Sequence, residues 1–307
     1  MAGRRRRWLH GLLFVVGVGG VVVLVIHIGP ATLAEAVGGL APWLPWVVLL
    51  EALRIGADAL TTRLLYGKPV PTEALLRAQL LAYPAALLVP AGRAAAEVIK
   101  AGLMQRYVGT ELAGAAAVKN PALALIGGFA ISIPCTLAAF SRWGASPFSW
   151  AIALQALTAL ALAAVILLAA RRPEISRGVK LVSSELGATA DRIQATVREM
   201  EAVPRGPLMS AIANRVLLAL QVMVLSRAAG MEDAAMGLIA VGVYLVGAAV
   251  GDVVPGKIGA TDGSFAVAAH ALGVPLGSAV AVALALHAVQ LGWALVGALA
   301  AMLWRER

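Results

Sequence analysis

The chain has 307 residues, of which 61% are hydrophobic and 13% are charged. A soluble domain carries about a quarter charged residues, so this composition excludes a soluble protein and indicates an all-α, polytopic membrane protein. The net charge of +9 does not indicate a nucleic-acid partner, because the Arg and Lys residues stand beside apolar segments, as in cytoplasmic loops that face anionic lipid.

Four arginines, residues 4–7, precede an apolar run over 8–28. This run is longer than the core of a secretory signal, which is about 7–15 residues, so we expect a retained first span with a cytoplasmic N-terminus. The segment 29–42 has no Lys or Arg and is assigned to the outer face. The second span is expected over 43–65.

The second span carries three charged residues at spacings of three and four, which place them on one helix face: Glu51, Arg54 and Asp58. An isolated charge at membrane depth costs about 3 kcal/mol or more, so partners or a water-filled cavity are expected. Two interpretations remain open. The residues form a polar wall that handles a charged headgroup or a proton, or they form a structural ion-pair cluster.

The apolar segment 72–107 is interrupted by the helix breakers Pro90 and Gly92, which are candidate hinge residues. We expect a re-entrant hairpin from the cytoplasmic side or two short crossings. Three charged residues follow the break at helical spacing: Arg93, Glu97 and Lys100. The free N–H groups of a new helix start favour an anion, so these residues are candidates for binding a lipid phosphate. The alternative is that the two cations extend to the inner interface.

The third span is expected within 113–140 and the fourth over 148–170. The polar segment 171–207 between the fourth and fifth spans has apolar residues at roughly helical spacing, which predicts an amphipathic helix on the cytoplasmic surface. The fifth span is expected over 208–228. Two polar pairs at the starts of spans are interpreted as interface anchors: Lys119 with Asn120, and Asn214 with Arg215.

A second broken segment, 234–272, is expected to enter and leave on the outer side before a last span over 275–303. It repeats the first motif, because an acid again stands seven residues after a Val-Pro pair. Its hinge candidates are Pro255, Gly256 and Gly259, and its charged candidates are Asp252, Lys257 and Asp262. Single polar residues on apolar faces nearby are interpreted as structural: His270, His287 and Gln290.

These elements divide the single transmembrane domain, 1–307, into two halves, 1–140 and 141–307. Each half has three full spans and one broken hairpin, so six spans are expected in total, with both termini cytoplasmic. Because three is odd, the second half is inverted relative to the first. Inverted repeats with broken helices are typical of secondary transporters, whose sites lie at the repeat interface.

Three stretches carry a resemblance to a known family: 53–65, the Val-Pro motif of 89–103, and 254–275. They resemble the lysylphosphatidylglycerol synthase transmembrane, or flippase-like, family. The resemblance implies an inner-membrane protein that translocates lipids or lipid-linked sugars between leaflets. The chain departs from the family pattern at three positions: Arg93 and three alanines replace much of the glycine, Lys100 replaces Arg, and Asp262 replaces Glu.

We therefore expect a lipid flippase in which both hairpins share one polar cavity. The cations Arg54, Arg93, Lys100 and Lys257 would compensate phosphate charge, and the acids Glu51, Asp58, Glu97, Asp252 and Asp262 would balance them or carry a proton. No ATP-binding motif, nucleophile arrangement or metal-ligand spacing is present, so neither catalysis nor a cofactor is expected. The alternatives are a non-transporting subunit that partners a lipid or glycan biosynthesis enzyme, and an intramembrane transferase.

Overall fold

The computed structural model describes residue 19 and residues 22–89, 92–172, 184–252 and 259–303. Within these residues every regular element is helical. The elements, in chain order, are α1 (Pro30–Leu40), α2 (Leu44–Tyr66), α3 (Thr72–Leu88), α4 (Gly92–Val108), α5 (Thr110–Trp143), α6 (Pro147–Ala169), α7 (Ser184–Glu199), α8 (Arg205–Ala228), α9 (Ala234–Gly251), α10 (Ala260–Ala268) and α11 (Leu276–Leu303).

Six helical segments of the described chain are long and apolar enough to cross a membrane: Pro30–Tyr66, Thr110–Trp143, Pro147–Ala169, Arg205–Ala228, Ala234–Gly251 and Leu276–Leu303. The expected all-α, polytopic fold is therefore confirmed. The six are not the six that the sequence predicts. Helix α9, expected as one arm of a broken hairpin, is among them, whereas most of the predicted span 8–28 lies outside the described residues.

The segment 29–42, assigned from sequence to a connection on the outer face, is largely helical. Gly29 has a φ of 90° and separates the helical residues 22–28 from α1, which Pro30 begins. Proline is favoured in the first turn of a helix because a backbone N–H at that position would have no partner within the helix, and proline has no N–H. A short 3₁₀ turn, Ala41–Trp43, then joins α1 to α2.

Helix α3 ends before the first Val-Pro motif and α4 begins after it, and the two helices pack against each other. Gly92 opens α4 so close to the end of α3 that an added Cβ would lie 2.4 Å from the carbonyl oxygen of Ala85. Such a distance leaves no room for a side chain, so glycine is required for this reversal. Pro90 lies outside the described residues.

Helices α9 and α10 form the corresponding pair around the second motif. A Cβ on Gly247 would lie 2.8 Å from the Cα of Thr261, so the two helices are in backbone contact. Gly259 precedes α10 with a φ of 85°, which a residue with a side chain rarely adopts. The remaining candidates of this motif, Pro255, Gly256 and Lys257, lie outside the described residues.

The helix contacts fall into two matching sets. Helix α4 packs on α5, as α10 packs on α11. Helix α3 packs on α11, and α9 packs on α5, so each pair contacts the long helix of the other half. Helices α2 and α8 pack along each other between the two sets. The close approach of α8 to α5 depends on Gly127, where a Cβ would lie 2.9 Å from the carbonyl oxygen of Ala211.

The polar segment between α6 and α8 contains α7, which packs on α5. Ile193 fills the space beside Gly114, and Val197 is buried. Lys119, expected to be an interface anchor, is instead 1% exposed and donates to the carbonyl oxygens of Met200 and Glu201. The ammonium group thereby satisfies carbonyl groups that the end of a helix leaves unpaired.

Candidate functional site

The first polar cluster joins α2, α3 and α8 around Glu51, which is completely buried. Arg54 donates to both carboxylate oxygens, with a distance of 2.8 Å from Nε to Oε2. Tyr83 donates its hydroxyl to Oε1, and the Gln221 amide donates to Oε2 at 2.8 Å. The carboxylate therefore has hydrogen-bond donors from three helices, which stabilise its negative charge away from water.

The second cluster lies about two turns further along α2, at Asp58. Lys100 of α4 lies 2.9 Å from Asp58 Oδ2 and 2.6 Å from Glu97 Oε1, so one ammonium group bridges two carboxylates. Arg93 lies 3.7 Å from Asp58 Oδ1 and keeps 41% of its side chain exposed. Lys100 and Glu97 are each 4% exposed, so this part of the network is shielded from solvent.

Two amides complete the second cluster. Asn120 of α5 donates to Glu97 Oε1 at 2.8 Å and lies 3.4 Å from Asp58 Oδ1. Gln79 of α3 donates to Asp58 Oδ2 at 2.7 Å. The sequence position of Asn120 suggests an interface anchor. In the structure this residue is instead buried in the second cluster. Asn120 stands ten residues into α5, and its role depends on which side of α5 faces α4, which residue spacing does not show.

The third cluster surrounds Asp262, near the start of α10. The N–H of Gly259 donates to Asp262 Oδ2 at 2.8 Å, and His287 Nε2 of α11 lies 3.4 Å from the same oxygen. The Thr261 hydroxyl lies 2.7 Å from His287 Nε2. Asp262 is completely buried, and its Oδ1 has no hydrogen-bond partner among the described residues. His287, interpreted from sequence as structural, thus contacts a predicted site residue.

Arg215 stands halfway along α8, near Arg54 of the first cluster and Arg93 of the second. It stands ten residues from the start of the helix, about 15 Å along its axis, so it is not at a membrane interface in a helix that spans the bilayer. Its Nε donates to the carbonyl oxygen of Ala124 at 3.1 Å. It forms no ion pair with a carboxylate of the described residues, although it lies within electrostatic range of Arg54, Arg93 and Asp252.

The predicted residues therefore fall into separate groups. Glu51 and Arg54 pair with each other, and the second cluster gathers Asp58, Arg93, Glu97 and Lys100. Asp262 belongs to the third cluster, and no hydrogen bond or ion pair of the described residues joins it to Glu97. Asp252 is exposed at the end of α9. Arg215 can be recognised in the sequence as a charged residue in the middle of the 24-residue apolar segment that forms α8.

No group of His, Cys, Asp and Glu side chains within the described ranges has the geometry to hold a metal ion. The site is defined instead by buried ion pairs, amides and arginines between the helices of a polytopic membrane protein. The chain belongs to the family described as Lysylphosphatidylglycerol synthase TM region, which it matches over residues 8–298. This confirms the family that the sequence motifs indicate. Comparison with the curated proteins and with the solved structures finds no match.

Proposed function

We propose that this protein is a transporter that moves a lipid with an anionic headgroup between the leaflets of the inner membrane. Its termini lie in the cytoplasm, and its two broken hairpins are re-entrant and related as an inverted repeat. The observation that carries the proposal is the position of Arg215, a half-buried cation in the middle of a membrane-spanning helix, near two further arginines.

The other charges of the first two clusters are paired with each other, and Asp252 lies within electrostatic range of Arg215 without forming an ion pair with it in the described part of the chain. Glu51 neutralises Arg54, while Asp58 and Glu97 together neutralise Arg93 and Lys100. Arg215 then remains without an ion-pair partner among the described residues. Because an unpaired charge at membrane depth costs about 3 kcal/mol or more, an anion that reaches it is stabilised. The guanidinium fork matches a phosphate, whose oxygens accept two parallel hydrogen bonds.

The inverted repeat is supported by matching contacts as well as by the Val-Pro motifs. Seven residues after its proline, Glu97 accepts from Asn120 in the long helix that follows the first hairpin. At the same offset in the second half, Asp262 contacts His287 in the long helix that follows the second hairpin. Each long helix also packs on the first arm of the opposite hairpin. If the two halves are inverted repeats, as we propose, their interface lies at α2 and α8, and α8 carries Arg215.

In this mechanism, Arg93 and Arg215 contact the headgroup phosphate while the lipid tails remain in the bilayer. The lysine and the acids of the second cluster keep Arg93 in position. Asp262 and His287 form a separate buried pair that can exchange a proton when the outer hairpin opens. We propose no covalent chemistry. The energy comes from an ion gradient across the membrane or from the concentration gradient of the lipid itself.

The test is reconstitution of the full chain in liposomes containing headgroup-labelled phosphatidylglycerol or phosphatidylcholine, with transfer measured by chemical quenching of the outer leaflet. We expect faster transfer of the anionic lipid. Loss of a charge-assisted hydrogen bond costs about 1.5–3 kcal/mol, so Arg215→Gln is expected to slow this transfer about 10-fold or more. Arg215→Lys should retain part of the rate. Arg142→Gln, which removes an exposed arginine paired with Asp233, is the control.

One observation favours the alternative of a non-transporting subunit of a lipid or glycan enzyme. The acids of the first two clusters are fully paired, so these clusters can hold helices together without a substrate. A reconstituted protein that transfers neither lipid until a partner enzyme is added would support this alternative. Chemical alteration of the labelled lipid would instead identify a transferase and contradict both proposals.

A further inference from the structure

Two of the most apolar helices, α9 and α11, carry a few polar side chains in their middle turns. In α9, Tyr244 is the one side chain with an oxygen or nitrogen atom, and it is buried. After its first turn, α11 has three such side chains: His287, Gln290 and Trp293. Their spacing of three residues makes successive members neighbours on the helix surface, about 4.5 Å apart along the axis. Polar groups in the middle of membrane-spanning helices are costly, so their alignment indicates a function.

These side chains connect the third cluster with the first. His287 contacts Asp262 at one end, and one turn further along α11 the Gln290 amide nitrogen lies 3.5 Å from the Tyr244 hydroxyl. Tyr244 in turn lies within electrostatic range of Arg54, the cation of the first cluster. We call the connected side chains the polar row, which consists of Asp262, His287, Gln290, Tyr244, Arg54 and Glu51.

Trp293 brings the row to the first cluster by a second contact. Its ring packs against a group of buried side chains that includes Tyr83, and Tyr83 donates its hydroxyl to Glu51. Helix α11 therefore has polar atoms from the third cluster at His287 to the edge of the first cluster at Trp293. The two ends of the row belong to different hairpins, so the row crosses between the halves of the molecule.

Three buried polar atoms beside the row have no hydrogen-bond partner among the described residues: Asp262 Oδ1, Gln221 Oε1 and Trp293 Nε1. Asp262 and Gln221 are completely buried. Each of the three atoms can therefore form one further hydrogen bond. Buried polar atoms are nearly always paired in native proteins, so these atoms indicate places that bind water or a proton.

We propose that protons cross the middle of the membrane domain along the polar row, and that the proton is the ion coupled to lipid transfer. This inference rests on the proposed transport and names the gradient that drives it. The neutral His287 ring accepts a proton at one nitrogen and releases one from the other, so its charge does not change. Asp262 supplies that proton and is the one titratable group of the described residues that contacts the ring. The Tyr244 hydroxyl accepts and releases a proton in the same way, and water bridges the remaining steps to Glu51.

Protonation of Glu51 provides the coupling to the lipid. Among the described residues, the titratable groups in contact with Glu51 are Arg54 and Tyr83. A protonated carboxyl no longer neutralises Arg54, which then adds an unpaired charge near Arg215. The headgroup phosphate is stabilised by this additional guanidinium while the proton is bound. The proton and the lipid are therefore expected to move in the same direction.

The test follows both species in the same liposomes, which contain the full chain, headgroup-labelled phosphatidylglycerol and a pH-sensitive dye in the lumen. A gradient of about one pH unit has the free energy of a tenfold shift in an equilibrium, so it should enrich the labelled lipid in the leaflet on the alkaline side by up to about 10-fold. The dye should report a proton flow that accompanies the lipid. Protein-free liposomes give the background for both measurements.

The two readouts separate this inference from the proposed transport. Lipid transfer that ignores the pH gradient and carries no protons would overturn the inference and leave the transport standing. Proton flow without lipid transfer would support the pathway and overturn the transport of a lipid. Absence of both activities in the folded protein would overturn both proposals.

Two variants test the row itself. His287→Gln keeps an amide that can hydrogen-bond to Thr261 but cannot pass on a proton, so proton flow should fall about 100-fold, the lower end of what a positioned acid–base group contributes. Tyr244→Phe removes one hydroxyl and should lower the flow about 5-fold, as for the loss of one neutral hydrogen bond.

The matched controls are His270→Gln and Tyr107→Phe, which make the same changes at exposed positions outside the row. Circular dichroism in detergent identifies any variant that is unfolded, and the second row variant then carries the test. Unchanged proton flow in a folded row variant, or an equal loss in its control, would overturn the inference.

Discussion

The two hairpins share a sequence motif but are stabilised in different ways. The first has two arms of 17 residues, and its acid belongs to an ion-pair network. The second has arms of 18 and 9 residues, and its acid contacts a histidine and a backbone N–H. The acid therefore stands seven residues after the proline in both hairpins, but the residues that contact it differ.

The difference arises from the helices that each hairpin contacts. The first hairpin packs beside the charged second span, where Asp58 faces Lys100. The second hairpin packs on the apolar helices α5 and α11, and Gly247 permits backbone contact between its two arms, α9 and α10. Close backbone contacts thus occur in both hairpins, and the first adds an ion-pair network with the second span. The following variants test this contrast, in order of decreasing effect.

Lys100→Met should have the largest effect on stability. It leaves Asp58 and Glu97 without the ammonium group that bridges them, and breaking a buried ion pair costs about 3–5 kcal/mol. We expect the free energy of unfolding in detergent, followed by circular dichroism, to fall by this amount. Adding Glu97→Gln should restore part of it. If the exposed-pair variant Arg142→Gln loses as much stability, the contrast between the hairpins is wrong.

Gly92→Ala should destabilise the first hairpin by about 1–3 kcal/mol, the usual cost of inserting a methyl group where the backbone must move. The Cβ would lie 2.4 Å from the carbonyl oxygen of Ala85. Gly102→Ala is the matched control on the same helix, because its Cβ would contact nothing within 4 Å. Equal thermal denaturation of the two variants would show that the reversal does not depend on Gly92.

Asp262→Asn should cost only about 1 kcal/mol, because the amide oxygen can still accept from the N–H of Gly259. We nevertheless expect lipid transfer in liposomes to fall, since an amide cannot exchange a proton with His287. The exposed Glu232→Gln serves as the control. Normal transfer by a folded Asp262→Asn protein would remove Asp262 from the proposed mechanism.

Gly263→Ala should have the smallest effect and the opposite sign. Its Cβ would meet nothing within 4 Å, and replacing glycine within a helix stabilises it by about 0.5 kcal/mol. Thermal denaturation should therefore shift slightly upward. A strong loss of stability would indicate that α10 packs against a further surface, and the second hairpin would then resemble the first more closely.

Several contacts of the site could not be predicted from the sequence. From the sequence alone, Asn120 and Arg215 are expected at interfaces because they stand in the first halves of apolar spans, and His287 is expected to be structural because it is isolated. All three assignments depend on which side of a helix faces which neighbour. Local spacing does not determine that orientation when almost every side of a helix is apolar.

The sequence by itself determined that the chain is helical and crosses a membrane, because long apolar segments satisfy their backbone hydrogen bonds in lipid only as helices. It also indicated the family through the Val-Pro motifs. Only the tertiary structure decided which charges meet. Lys100 reaches Asp58 across 42 residues of chain, and Gln221 reaches Glu51 across 170. Such pairings depend on the packing of distant helices, which residue spacing within one helix does not encode.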